Sequence, residues 1–168
     1  MKKRILPILT GLWPYLLFAV FLYIKLTPTQ PHEPVSQVPI ICIFSILLLA
    51  PVLAMICLLW GMISHTLSPA TLAKWGLAVK LAHIPFYVTV FCFFLFLPVI
   101  GTFLFVFDAM AMTVGSGFGI AAILRARKEG LLTTVRTIGH IIAHCFFIAD
   151  VISAFLIWKR LRTASVTN

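Results

Sequence analysis

Residues 102–124, TFLFVFDAMAMTVGSGFGIAAIL, and 137–158, TIGHIIAHCFFIADVISAFLIW, decide how this chain is read. Each is an apolar run of the roughly 20 residues that a helix needs to cross a bilayer. Each also holds one aspartate, Asp108 in the first and Asp150 in the second, and between the runs lies a basic loop with Arg125, Arg127, Lys128 and Arg136. An unpartnered carboxylate in hydrocarbon is costly. These two of the chain's four acidic residues are therefore its first candidates for function.

Working outward, the composition agrees with that reading. The 168 residues are 62% hydrophobic and 10% charged, with a mean hydropathy of +1.12, whereas soluble domains are about a quarter charged. The expected fold is all-α: a polytopic transmembrane helical bundle forming a single integral membrane domain over 1–168. The net charge of +9 does not point to nucleic acid. Lys and Arg cluster at the ends of apolar runs, where they set orientation and meet anionic head groups, so the bilayer itself is the expected partner. Cys42, Cys57, Cys92 and Cys145 fall within apolar segments without CxxC spacing and read as small buried residues.

Five spans are expected, at about 5–25, 38–63, 77–97, 102–124 and 137–158. The first follows Lys2, Lys3 and Arg4 and is too long for a cleaved leader; Pro7 and Pro14 bend it. Residues 26–37 carry Pro28, Pro31 and Pro34 around His32 and Glu33 and read as an extended connector. In the second span Ala50, Ala54, Cys57 and Gly61 form a stripe of small residues suited to close helix packing, with Pro51 as a packing residue or a hinge. Ser68-Pro69 is a helix start. The third span carries Lys80, expected to snorkel to the head groups, His83, and phenylalanines all round its circumference. The turn at 98–101 places Asp108 inside the fourth span. If residues 102–124 instead lie re-entrant or interfacial, four spans remain.

With the N-terminus in the cytoplasm, five spans put nine of the thirteen basic residues inside: Lys2, Lys3, Arg4, Lys74, Lys80, Arg125, Arg127, Lys128 and Arg136. The positive-inside rule prefers this orientation in the cytoplasmic (inner) membrane, at the cost of a basic C-terminus outside.

At 100° per residue Asp108 shares a helix face with Ala111, Gly115 and Gly119, and Asp150 shares one with Gly139, Ala143 and Ala154. Both aspartates thus face the sides best suited to another helix. Their expected depths, roughly 9 Å and 12 Å from the outer surface, let the two carboxyl groups approach and hold one proton between them. The alternative is that each is a structural acceptor locking helix packing. Deeper toward the cytoplasm come Lys80, His83, His140 and His144. His140 and His144, one turn apart, would with His83 make a weak metal site, since no carboxylate is expected nearby to orient the rings.

No nucleophile elbow, HExxH or P-loop is present, and the run Gly115-Ser116-Gly117-Phe118-Gly119 lacks the Lys-Ser/Thr of a phosphate cradle. No enzyme activity and no cofactor are expected. Two functional classes stand: a small accessory or interaction protein whose small-residue stripes pack its own helices, a second copy or a membrane partner, and a minimal proton-coupled or small-solute transporter or channel lined by Asp108 and Asp150.

Overall fold

A computed structural model describes residues 5–26, 37–64, 67–144 and 146–164. The helices are α1 (Ile5–Leu12), α2 (Tyr15–Leu26), α3 (Val38–Ile63), α4 (Pro69–Phe96), α5 (Pro98–Lys128), α6 (Thr134–Ala143) and α7 (Phe147–Ala164), and no strand occurs among the described residues. Three stretches, Ile41–Ile63, Pro69–Phe96 and Leu104–Lys128, are long and apolar enough to cross a membrane. The connector with His32 and Glu33 lies outside the described residues, as does Cys145.

Prolines explain where the first segment breaks. Pro14 has no amide hydrogen and disfavours helical geometry at the residue before it, and α1 ends there, at Trp13-Pro14. Trp13 is buried, its indole N–H donating to the Ile46 carbonyl at 3.2 Å. By contrast α3 runs through Pro51 without interruption, so Pro51 opens no hinge. Ser68 starts α4 as its residue type demands, its hydroxyl accepting from the Thr71 amide at 3.2 Å with Pro69 next. Between α4 and α5 only Leu97 leaves helical geometry. A side chain at Gly101 would run into the Phe94 backbone, which is why this corner needs glycine.

Small residues on two sides of α5 set its packing. Toward α3, a Cβ at Gly117 would come within 2.7 Å of the Ala54 carbonyl and one at Gly61 within 2.6 Å of the Ala121 Cβ. Ala50 and Cys57 are fully buried. The stripe read from the sequence of α3 is therefore a packing surface against α5. Toward α4, a Cβ at Gly76 would lie 3.0 Å from the Gly119 amide, and Gly115 lies against Lys80. Ala111 is buried on the same face of α5. Gly139, in contrast, has nothing within 4 Å of a built Cβ, and with Ala143 it lines an open groove rather than a helix contact. Nor are all the cysteines buried: Cys92 is exposed.

The largest departure concerns residues 137–158. A straight helix would separate His140 from Ser153 by about 20 Å, yet their side chains share a hydrogen bond of 2.8 Å. The chain turns back between the end of α6 at Ala143 and the start of α7 at Phe147. Ile157 and Leu161 of α7 consequently pack with Leu72 and Ala73 at the start of α4, with Ala126 near the end of α5 and with Leu132 in the loop that follows it. Residues 102–124 do not turn back; they lie within the continuous helix α5.

This hairpin gathers charge at one end of the bundle. Lys159, Arg160 and Arg162 on the last turns of α7 join Lys74, Arg125, Arg127, Lys128 and Arg136 there. Leu6 of α1 packs against the same apolar cluster, so the described chain begins and finishes at one end. A second cluster, with Trp13, Phe86, Phe107 and Val114, fills the other end.

Replacing Gly117 by Leu should lower the detergent unfolding midpoint by the equivalent of about 1–3 kcal/mol, the usual penalty for overpacking; an unchanged midpoint would mean that α3 and α5 are not in close contact. Reporters fused at the first residue and after Ala164 should score on the same side of the membrane, and opposite sides would restore a fifth crossing.

Candidate functional site

Between the two apolar clusters lies a polar layer built from three helices and the hairpin turn. Lys80 on α4 is fully buried. Its Nζ is bonded to Oδ1 of Asp150 on α7, and it reaches Ser116 Oγ on α5 at 3.3 Å and His144 Nδ1 at the hairpin turn at 3.1 Å. His144 Nδ1 also meets Asp150 Oδ1, and Ser116 Oγ lies 3.5 Å from the same oxygen. All four side chains are at most 5% exposed. A buried ammonium and a buried carboxylate each carry a large desolvation cost, and the pair is tolerable only when close and supported by further hydrogen bonds. Ser116 and His144 supply that support.

Each member is delivered by a local feature. Gly115 packs against the Lys80 stem, a built Cβ standing at ordinary contact distance, 3.4 Å, from Lys80 Cγ. Gly119 leaves room for His144, whose Nε2 would stand 3.0 Å from a Cβ there. Asp150 lies in the first turn of α7, where a carboxylate faces the positive end of the helix dipole, and His140 lies in the last turn of α6, at the negative end of its own.

The expectation that Lys80 snorkels to head groups is thereby corrected: with a carboxylate and a hydroxyl within reach, it stays inside. The Asp108–Asp150 pair is corrected as well. Asp150 lies at the level of Ser116, and Asp108 is eight residues further along α5, about 12 Å along the axis. Asp108 is buried, with no hydrogen-bond partner for Oδ1.

The histidines likewise separate. His140 bonds Ser153, His144 bonds Asp150, and His83 Nε2 donates to the Thr10 carbonyl at 2.9 Å. In an unbroken helix the Thr10 carbonyl would accept from residue 14, which is a proline without an amide hydrogen, so His83 caps the acceptor that Pro14 leaves open. Among the described residues no three His, Cys, Asp or Glu side chains converge as a metal site. Ser116, His144 and Asp150 do not form a hydrolytic relay either. Ser116 sits on the carboxylate and donates to the Met112 carbonyl at 2.8 Å, while His144 Nε2, where a nucleophile would have to lie, has no hydrogen-bond partner.

Lys80, His83 and Tyr87 lie on α4 at spacings of three and four and are all buried. Tyr87 is within electrostatic reach of both Asp150 and Asp108. The polar layer therefore continues along α4 toward the level of Asp108.

The chain belongs to a family of unknown function, DUF6652, whose model matches residues 3–163. No curated protein and no solved structure matches it.

Substituting Lys80 or Asp150 singly by Ala should cost about 3–5 kcal/mol, because each leaves the other charge buried alone. The double variant Lys80→Met/Asp150→Leu should cost clearly less than the sum. Strict additivity in denaturation midpoints would show that the two groups are independent.

Proposed function

For this family member we propose a non-enzymatic role in the cytoplasmic membrane, as an accessory or interaction protein that keeps a fixed helical surface for a second copy or another membrane component. The observation that carries the reading is the capping of Asp150 by Lys80, His144 and Ser116. A carboxylate oxygen met by a lysine of α4 and by the histidine at the hairpin turn, with Ser116 of α5 beside it, serves as a clamp, and here it clamps the α6–α7 hairpin onto α4 and α5. The reading takes four crossings, α1 with α2, then α3, α4 and α5, followed by the hairpin entering and leaving from one face; three of them, in α3, α4 and α5, are long and apolar enough to span. In that topology the basic ends of α4, α5, α6 and α7 all face the cytoplasm together with the N-terminus, and the basic C-terminus no longer stands against the positive-inside rule.

One observation favours a second reading, proton-coupled transport. The face Lys80, His83, Tyr87 leads from Asp150 toward Asp108, whose Oδ1 has no hydrogen-bond partner. Ionisable groups in a line through a bundle are the usual parts of proton relays.

Proteoliposomes containing a pH-sensitive dye separate the two. The accessory reading expects no proton flux above protein-free vesicles at either sign of imposed pH gradient. Flux that disappears in both Asp108→Asn and Asp150→Asn, with insertion unchanged, would replace it with the transport reading.

A further inference from the structure

The turn-back of α7 on α6 creates a groove of about 380 Å³ on the outside of the hairpin. Its walls are apolar or small, with Gly139 and Ala143 on α6 facing Ala149, Ile152 and Leu156 on α7, and the His140–Ser153 hydrogen bond lies across its floor. Arg136, one turn before His140, stands at the basic end. On the facing helix Ser153, Leu156 and Arg160 follow one another at spacings of three and four, so Arg160 stands opposite, and a second hollow lined by Leu156, Lys159 and Arg160 continues the groove toward the chain end. The charges of Arg136 and Arg160 both bear on the His140 ring.

Arg136, Lys159 and Arg160 thus line two adjoining hollows that share Leu156. Like charges held side by side repel, and among the described residues no carboxylate answers them: Glu129 pairs with Arg125, Asp150 with Lys80, and Asp108 lies deep in the bundle. The missing counter-charge has to come from outside the described chain. Cations beside an apolar cleft at head-group level match one kind of molecule in particular, a lipid with an anionic head and a hydrocarbon tail. We infer that this groove binds one anionic phospholipid, its phosphate held between Arg136 and Arg160 and an acyl chain laid along Gly139, Ala143, Ile152 and Leu156. The inference rests on the membrane reading above but not on the choice between accessory and transport roles. A lipid seated there would stiffen the hairpin that delivers Asp150 to Lys80.

The test is native mass spectrometry of the full chain released from nanodiscs of mixed dioleoylphosphatidylglycerol and dioleoylphosphatidylcholine. The wild type should retain one phosphatidylglycerol with roughly tenfold or greater preference over phosphatidylcholine, two cations at about one charge interaction each being enough for that ratio. Arg136→Gln/Arg160→Gln should lose the preference, Arg136→Lys/Arg160→Lys should keep most of it, and Arg127→Gln/Lys128→Gln, which removes the same charge from exposed positions outside the groove, should retain it in full. Equal loss in both glutamine pairs would mean diffuse attraction to the head groups and overturn the site. So would retention of phosphatidylcholine to the same extent, or displacement of the lipid by inorganic phosphate. A wild type that enters nanodiscs but holds no lipid selectively defeats the groove alone, whereas failure to enter them at all defeats the membrane reading beneath it.

Discussion

A lysine with no access to water needs a carboxylate, and in this chain the carboxylate comes from a segment that has to bend to deliver it. Lys80 and Asp150 are seventy residues apart, and bringing them together requires room on α5, a turn at the end of α6, and α7 running back along α4. Gly119 provides the room beside the His144 ring, and Gly115 lies at contact distance from the Lys80 stem. Loss of the pair would leave α7 held by Ile157 and Leu161 at the basic end and by the His140–Ser153 hydrogen bond, with its first turn no longer tied to α4.

Much of this was legible in the residues. The Ser68-Pro69 start, the small-residue stripe of α3 and a break between the third and fourth segments follow from rules that act within a few residues or along one helix face; the break itself falls at Leu97, and residues 98–101, expected as the turn, are the first turn of α5, because proline is tolerated at the first helical position. What a straight-helix reading misses is the return between α6 and α7. No glycine or proline marks it, and the hydropathy of 137–158 is continuous, so length alone suggests a crossing. On a straight helix His144 and Asp150 are six residues apart and point to different sides, which hides the carboxylate that orients the histidine. Two signals were nevertheless present. His140 and Asp150 carry the charges suited to the end of one helix and the beginning of the next, and five crossings left Lys159, Arg160 and Arg162 on the side that basic residues avoid.

The candidate site was legible in its membership but not in its connections. Lys80, His83, His144, Asp108 and Asp150 are all buried, while His140 is only half-buried. Their partners could not be read from helix faces because each depends on where another segment ends. His83 answers a carbonyl that Pro14 leaves open in α1, Lys80 answers the hairpin, and Asp108 is left at a different depth from the carboxylate it was expected to meet. Ser116 had appeared only as part of a glycine-rich run, and its role as a fourth member of the cluster follows from facing Lys80 across the α4–α5 contact.

Everything returns to whether the ammonium of residue 80 and the carboxyl of residue 150 touch. Solid-state NMR on protein labelled with 15N at lysine Nζ and 13C at aspartate Cγ, reconstituted in lipid, measures that contact directly. The account predicts strong dipolar coupling from one lysine nitrogen to one carboxyl carbon, absent in Lys80→Met and in Asp150→Asn and untouched in Asp108→Asn. A Lys80 nitrogen coupled to no carboxyl carbon, or coupled to that of Asp108, would contradict it.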